Sequence, residues 1–201
     1  MLFNKKTRFQ LTEKQIKEEI KNNEGTVLLR INLRYPEIKC PKSDPMSKQA
    51  QGFYAEIAKG FAEYAKGDLL SAAKTVCKAK KEEFQPFSAL MKYEITLENS
   101  EYLSILTEFS VSDGLNPPFT ERQTQVWSRS SGTKCSFSQL CRKEKLKARL
   151  DELLEKSEKR YFDKELFVLR ESTVDFHLLQ KDGYRTISIP KDELLKTPIQ
   201  A

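Results

Sequence analysis

The sequence predicts an α+β fold in which an antiparallel sheet packs against a long helix and a second, shorter helix. In several segments apolar and polar side chains alternate, which is typical of strands with one buried face. Between residues 45 and 84, apolar side chains recur at steps of three and four, as on one face of a helix. With 201 residues the chain is long enough for a hydrophobic core, and we expect a single domain over residues 1–201.

Residues 1–44 are predicted to contain a β-hairpin. Phe9 and Leu11 are two residues apart, which favours a strand, whereas Ile16 and Ile20 are four apart, which suits a helix. The segment after a glycine-containing turn at 22–25 alternates clearly and favours the hairpin. Its predicted inward side chains are Val27, Leu29, Ile31 and Leu33.

A long helix is predicted over residues 45–84. Pro36 is expected to end the preceding strand, and Asp44 followed by Pro45 is a helix start, because aspartate caps free amides and proline lacks one. A bend or break is expected near residues 67–68. We interpret the apolar stripe as core and not as a cofactor site. Its members are Met46, Ala50, Phe53, Ile57, Phe61, Tyr64, Ala65, Leu69, Ala72 and Val76.

The rest of the chain predicts strands around a second helix. Residues 87–134 form an antiparallel meander of three strands with one face in water, the third strand spanning 119–129. A helix is predicted over 138–160, with Ser138 as its cap. Residues 166–201 give C-terminal strands at 167–179 and 184–189, separated by a turn at 181–183, and a tail.

The distribution of charge and the spacing of the cysteines argue against several classes of function. The net charge of +6 is spread over segments that all mix acids and bases, so nucleic-acid binding is not favoured. The four cysteines form no CxxC pair, and we interpret them as reduced thiols. A disulfide between Cys135 and Cys141 is the alternative in an exported protein. Phosphate-loop, zinc and calcium motifs are absent from the sequence, so no cofactor and no metal are expected.

The sequence as it stands predicts a cytoplasmic protein. Its opening residues lack the apolar stretch of a signal peptide, and no apolar run reaches the length of a membrane span. An extracellular or envelope-associated protein is the alternative if an export signal has been removed.

Several motifs occur in a characteristic order. A strand ending in Tyr35 and Pro36 precedes the long helix, and Tyr102 opens a strand that leads to a glycine-containing loop. Residues 124–134, with Gly132 and Lys134 at the end, are followed by a helix start. The late pattern G-x-x-x-I-x-I-P is formed by Gly183, Ile187, Ile189 and Pro190. In this order the motifs resemble the RsiV-like domain of unknown function.

That bacterial domain occurs in the ectodomain of the RsiV anti-sigma factor and in the N-terminal region of PdaC-type peptidoglycan deacetylases. The resemblance covers nearly the whole chain and implies an α+β fold and a role connected with the cell envelope. Relatives that sense lysozyme carry Tyr, Pro and Tyr at the positions of Asp175, Leu179 and Gln180. Lysozyme binding is therefore not carried over to this chain.

The one histidine, His177, lies in an apolar alternation opposite the Phe176 face. Asp175 is two residues away and on the same face of a strand. An acid–base site would need an oriented partner and a nucleophile. We therefore interpret His177 as a solvent-side strand residue, with catalysis as the alternative.

The strand at 119–129 is the predicted binding surface. Phe119, Trp127 and Arg129 share parity on it, and tryptophan and arginine are common at binding hot spots. Tyr184 is added as a fourth candidate. A buried structural role for Trp127 is the favoured alternative.

These observations favour a non-enzymatic binding domain with a protein or glycan ligand. One alternative is a hydrolase-type enzyme that uses carboxylates on the sheet, namely Glu94, Glu98, Glu108 or Glu121. Another is a weak nucleic-acid binder that uses the basic run at 142–149 together with Lys74, Lys78, Lys80 and Lys81. Ligand identity and oligomeric state do not follow from the sequence.

Overall fold

The computed structural model describes residues 10–181 and 183–196, and it confirms the α+β fold class. A mostly antiparallel five-stranded sheet has the order β1-β2-β3-β4-β5, and a three-stranded sheet has the order β6-β7-β8. The C-terminal strands thus form a sheet of their own, where the sequence placed all strands in one. The strands are β1 (Gln10–Lys21), β2 (Val27–Lys39), β3 (Phe87–Glu98), β4 (Tyr102–Ser112), β5 (Phe119–Ser128), β6 (Phe167–Leu169), β7 (Thr173–Gln180) and β8 (Gly183–Pro190).

The chain divides into two compact units. One comprises residues 1–93 and 108–121, and the other comprises 94–107 and 122–201. Strands β3, β4 and β5 each contribute residues to both units. The single domain expected over the whole chain stays a prediction.

The hairpin of the first unit is confirmed. Strands β1 and β2 pair antiparallel from Gln10–Lys39 to Lys21–Val27. Asn22 closes the turn with its side-chain oxygen, which accepts from the amides of Glu24 and Thr26, and Gly25 has φ of 85°. Phe9 and Asp182, which were assigned to the first strand and to the last turn, lie outside the described residues.

Pro36 does not end β2, which continues to Lys39. The parallel pairing of β2 with β3 covers Leu29 to Leu33, so Pro36 lies beyond it, where a missing amide costs no bond to β3. The parallel direction of this pair was not expected either. It arises because the whole helical segment connects the two strands.

The long helix is shorter and less regular than the sequence predicts. Asp44 caps a 3-10 turn at Pro45–Lys48, and α1 (Phe53–Tyr64) begins only after Gly52, whose φ of 84° interrupts the helical path. A π-helical segment at Ala65–Leu69 then leads into α2 (Leu70–Ala79). The irregularity expected near residues 67–68 is therefore present as a π-segment.

The buried stripe matches the predicted one at Met46, Ala50, Ala65 and Leu69, but elsewhere in α1 and α2 it is displaced by one residue. Tyr64 is 45% exposed, and small residues form the contact with the sheet instead. They are Ala58, Ala62, Ala65 and Ala73, which pack in one cluster with Leu29, Leu33 and Met91. Alanine lets the helix approach the sheet closely, while Ile57 and Phe61 flank the contact as half-buried side chains.

The predicted meander, strands β3 to β5, does not keep one face exposed to solvent along its whole length. From Leu103 to Thr107 every residue of β4 is buried. Ser104 bonds inside the protein, since its Oγ accepts from Thr96 Oγ1 at 2.9 Å and from the Leu169 amide at 3.0 Å. The buried Thr107 Oγ1 has no hydrogen-bond partner in the part of the chain that the structure describes. A strand whose hydroxyls are buried and hydrogen-bonded inside the protein therefore shows the same alternation of polar residues as a strand with one face in water.

The second predicted helix is divided into α3 (Phe137–Leu140), α4 (Lys143–Leu153) and α5 (Lys156–Lys159); α6 (Lys191–Leu194) follows β8. Ser136, not Ser138, caps α3 in a capping box with Gln139. Extended backbone at Cys141 and at Leu154 separates the pieces. No helix among the described residues is long and apolar enough to cross a membrane.

A core of aromatic and aliphatic side chains fills the second unit. Phe137, Phe167 and Phe176 are in mutual ring contact at 5.9 to 6.2 Å. Cys141 belongs to this core as a free thiol, and burial raises its pKa to about 12.

Candidate functional site

Strand β7 carries two different faces. Val174, Phe176 and Leu178 belong to the apolar core. Asp175 and His177 share the opposite face, where they are only 4% and 3% exposed. His177 is therefore not on the solvent side as predicted, because neighbouring charged side chains cover this face.

Asp175 is held by two donors. Arg170 Nε lies 2.5 Å from one carboxylate oxygen, and Thr173 Oγ1 donates to the other at 2.9 Å. Arg170 also donates through Nη1 to Glu94 at 2.6 Å. The pKa of Arg170 is raised, chiefly by the hydrogen bond with Glu94. Asp175, Arg170 and Glu94 thus form an ion triad. Its Asp175 end is buried, and its Glu94 end is exposed to solvent.

His177 is fixed through one ring nitrogen. Its Nδ1 lies 3.3 Å from Arg122 Nη1 and 3.3 Å from Thr186 Oγ1. A guanidinium only donates, so Nδ1 is the acceptor and the ring proton of the neutral form sits on Nε2. Burial, followed by the nearby charge of Arg122, lowers the pKa of His177 to about 4. The imidazole is thus a neutral structural group at pH 7.

The Nε2 atom of His177 is buried and has no hydrogen-bond partner within residues 10–181 and 183–196. A buried donor of this kind carries a desolvation cost. The other ring nitrogen already accepts from Arg122, so its lone pair is occupied in this arrangement.

Tyr184 on β8 is anchored to the same arginine. Its hydroxyl accepts from the Arg122 amide at 3.1 Å, and the Arg122 guanidinium carbon lies 4.8 Å from the ring centroid. A cation over an aromatic face is an attractive arrangement. Thr186 and Ser188 follow Tyr184 at alternate positions and are exposed, so they continue a polar strip along β8.

The backbone edge of β8 is the second feature of this region. β8 is last in the order β6-β7-β8, and its described ladder runs to β7 alone. Edge strands are normally protected by charge. β1, the first strand of the other sheet, has six charged residues among twelve, whereas β8 has Arg185 alone among eight. The β8 edge is thus weakly protected by charge against strand addition, with Arg185 near one end and Pro190 at the other.

The four predicted binding residues do not form one surface. Phe119 is 67% exposed at the start of β5, but Trp127 is 2% exposed. Trp127 is therefore a core residue, as the favoured alternative predicted, and not part of a binding surface, because β5 is buried from Thr124 to Trp127. Arg129 stabilises the β3–β4 turn by donating to the Asn99 carbonyl at 3.0 Å. Tyr184 contacts Arg122, which in turn contacts the buried His177.

Two of the candidate carboxylates are engaged by basic side chains. Glu94 pairs with Arg170, and Glu108 pairs with Lys92 at 2.6 Å. A cavity of about 610 Å³ lies at the β7–β8 hairpin, but neither these two nor Glu98 and Glu121 line it. Its lining includes Glu158, whose pKa is lowered chiefly by the Glu155 amide and then by Arg185.

Some of the basic residues that were candidates for nucleic-acid binding form ion pairs. Lys81 pairs with Glu24 at 2.7 Å, and Arg149 pairs with Glu152 and Glu193 at 2.5 and 3.1 Å. Among residues 10–181 and 183–196, no group of three or more His, Cys, Asp or Glu side chains could hold a metal ion.

Sequence reasoning missed the two arginines that organise this region. Arg170 lies across a tight turn from Asp175, and pairing between β6 and β7 brings the two together. Arg122 is one of several polar residues of β5, and nothing in its local pattern distinguishes it. Arg170 could have been found from the sequence, because it comes just before a strand that carries Asp175, a charged residue that would need a partner if buried.

Solved structures share this fold. A member of the DUF3298 family from Bacteroides fragilis superposes with a TM-score of 0.63 at 14% identity, covering 94% of each chain. A DUF3298 family protein from Pseudomonas aeruginosa gives a TM-score of 0.52 at 10% identity, covering 93% of this chain and 95% of that one. DUF3298 is a domain of unknown function. At these identities the likeness establishes the fold alone.

No family model matches the sequence, and no curated protein matches it.

Proposed function

We propose that this chain is a non-enzymatic binding domain of the RsiV-like kind, and that it captures an extended segment of a partner protein along β8. The observation that carries the proposal is the weakly protected β8 edge beside the anchored Tyr184. An extended peptide adds to such an edge through main-chain hydrogen bonds, and alternate side chains give specificity.

Tyr184 and its neighbours supply the side-chain part of this surface. The tyrosine loses little conformational entropy on binding, because Arg122 already holds its hydroxyl and faces its ring. Ser188 offers an exposed hydroxyl at the spacing of a strand that pairs with β8, two residues after the exposed Thr186, whose Oγ1 lies 3.3 Å from His177 Nδ1. Aromatic residues of this kind are frequent binding hot spots.

The absence of catalysis is part of the proposal. His177 is neutral with its acceptor nitrogen occupied, and Asp175 is neutralised by Arg170. Hydrolysis by sheet carboxylates would need two such groups a few ångströms apart around a reacting atom. The contacts of Glu94 and Glu108 with basic side chains favour structural roles instead.

The envelope role in the proposal comes from the resemblance to RsiV-like domains, whose members accompany or sense cell-wall chemistry. The fold shared with DUF3298 proteins is compatible with it. Lysozyme is not proposed as the ligand, because Leu179 and Gln180 replace the family's Pro and Tyr next to the β7–β8 turn.

The test is selection from a displayed library of extended peptides, with a glycan array in parallel. We expect peptide binders, and we expect amide exchange of β8 to slow when they bind. Tyr184→Ala should weaken binding by a factor of about 30, which corresponds to about 2 kcal/mol for an aromatic hot spot.

Ser188→Lys should also weaken binding, since lysine protects an edge. Tyr64→Ala, at an exposed tyrosine of the other unit, is the matched control and should bind normally. Binding to glycans but not to peptides, or unchanged exchange at β8, would refute the proposed mode.

A further inference from the structure

A cavity of about 540 Å³ in the second unit lies between α4 and the chain that follows α5. Its size is within the range of small-molecule sites. Its floor is apolar and consists of Phe137, Leu146, Leu150 and Phe162. Phe137 and Phe162 each contact Phe176, with ring centroids 5.9 and 5.3 Å apart, so the floor is continuous with the core of this unit.

The sequence of α4 builds one wall of the cavity. Lys143, Leu146, Lys147 and Leu150 are spaced at i, i+3, i+4 and i+7, which places all four on one helix face. Leucines and lysines are therefore interleaved along the same wall. A ligand that contacts this wall meets apolar carbon and ammonium groups together.

The rim of the cavity is basic. Four lysines and two aspartates line it, so its formal charge is 4 − 2 = +2. Lys159 and Asp151 neutralise each other at 2.6 Å, and this contact is the main cause of the lowered pKa of Asp151. Asp163 accepts from the Glu165 amide at 2.8 Å. The remaining positive charge comes from Lys143, Lys147 and Lys164, which form no ion pair within the described chain.

We propose that this cavity binds a small amphipathic carboxylate, of the chemical class of a medium-chain fatty acid. The alkyl chain lies against Leu146, Leu150 and Phe162, and the carboxylate meets Lys143 and Lys147 at the rim. An uncharged alcohol gains the apolar contact without the charge, and an alkylammonium is repelled. The site is separate from β8, so it neither depends on the proposed peptide binding nor supports it.

The probe is octanoate, compared with 1-octanol and octyltrimethylammonium as chain-matched analogues. Calorimetry should give saturable one-site binding of octanoate, and methyl NMR signals of Leu146 and Leu150 should shift. Added salt should weaken octanoate binding but not octanol binding, because only the former uses charge.

The variant Lys143→Gln/Lys147→Gln should weaken octanoate binding roughly threefold to tenfold, the range for two exposed ion pairs. Lys145→Gln/Lys156→Gln removes two exposed lysines outside the cavity and should leave the affinity unchanged. Equal affinity for all three probes, no effect of the first variant, an equal effect of both variants, or no saturable binding would each overturn the proposal.

Discussion

The Nη1 atom of Arg122 lies 3.3 Å from Nδ1 of His177, and the backbone amide of the same arginine binds the hydroxyl of Tyr184 at 3.1 Å. One residue of β5 thus fixes both a buried histidine on β7 and a half-exposed tyrosine on β8. Loss of the Arg122 side chain removes one of the two polar contacts of His177 Nδ1 and the cation over the Tyr184 ring, but leaves the amide bond to Tyr184 in place.

His177 makes stability depend on pH. Its pKa falls from 6.5 to about 4 on folding, so below pH 6.5 the unfolded chain binds a proton that the folded chain does not. Stability is therefore lost as pH falls from about 6.5 to about 4, by up to about 3 kcal/mol. His177→Gln should lack this part of the acid sensitivity.

Urea unfolding of both proteins at pH 7.5 and pH 5 measures the difference. As the chain has one histidine, its imidazole NMR signal can be titrated without ambiguity. A histidine pKa near 6.5 in the folded protein would contradict the buried, Arg122-paired arrangement.

Asp175 and Glu94 share Arg170 but differ in exposure, with 5% and 50% of their side chains accessible. Asp175→Asn should destabilise the protein by about 1–3 kcal/mol, because it leaves a buried donor without its acceptor. Glu94→Gln should cost about 0–1 kcal/mol, as for an exposed ion pair. Chemical unfolding compares the two, and equal costs would show that burial at Asp175 is unimportant.

Gly114 cannot carry a side chain at its place in the β4–β5 loop. Its φ is 79°, and an added Cβ would lie 2.5 Å from Cβ of Gln85 and 3.1 Å from the Pro86 carbonyl. Gly52 has a similar φ of 84° with open space around it. Gly52→Ala should therefore cost about 1–2 kcal/mol from backbone strain alone.

Gly114→Ala should lower the free energy of unfolding by about 1–3 kcal/mol more than Gly52→Ala does, because of the steric overlap. Thermal unfolding of the two variants separates the two contributions. Equal loss in both would mean that the loop moves away from Gln85 without cost.

Cys141 should be the least reactive thiol. Burial raises its pKa to about 12, so almost no thiolate exists at pH 7.5, whereas Cys40 is partly exposed. Iodoacetamide labelling followed by peptide mass spectrometry should modify Cys40 first and Cys141 last in the folded protein. In denaturant all four cysteines should react at similar rates. Labelling of folded Cys141 as fast as Cys40 would contradict its burial.

Local patterns predicted most of the strands. The alternation around Leu29, Ile31 and Leu33 gave β2 and its inward face, and Asn22 with Gly25 gave the turn, because these signals depend only on neighbouring residues. The direction in which β2 meets β3 depends on a distant partner, and local alternation carries no information about it. The π-segment at Ala65–Leu69 fell where glycine and aspartate weaken the helix.

The candidate site was less predictable. Parity correctly placed Asp175 and His177 on one face, but exposure of that face depended on Arg122 and Arg170, which lie elsewhere in the chain. Ser104 and Trp127 show the same difficulty, since the polar residues around them, such as Thr107 and Gln125, are buried as well. A polar side chain on a strand therefore does not by itself identify the surface.

The parallel pairing of β2 with β3 constrains how the chain is made. Leu29 meets Phe87 only after the entire helical segment has left the ribosome, so the nascent hairpin exists for a time as a two-stranded ribbon. Isolated hairpins are marginally stable, and unpaired strand edges invite association. The dense charges of β1 protect its own edge of that ribbon, whereas the β2 edge stays open until β3 arrives.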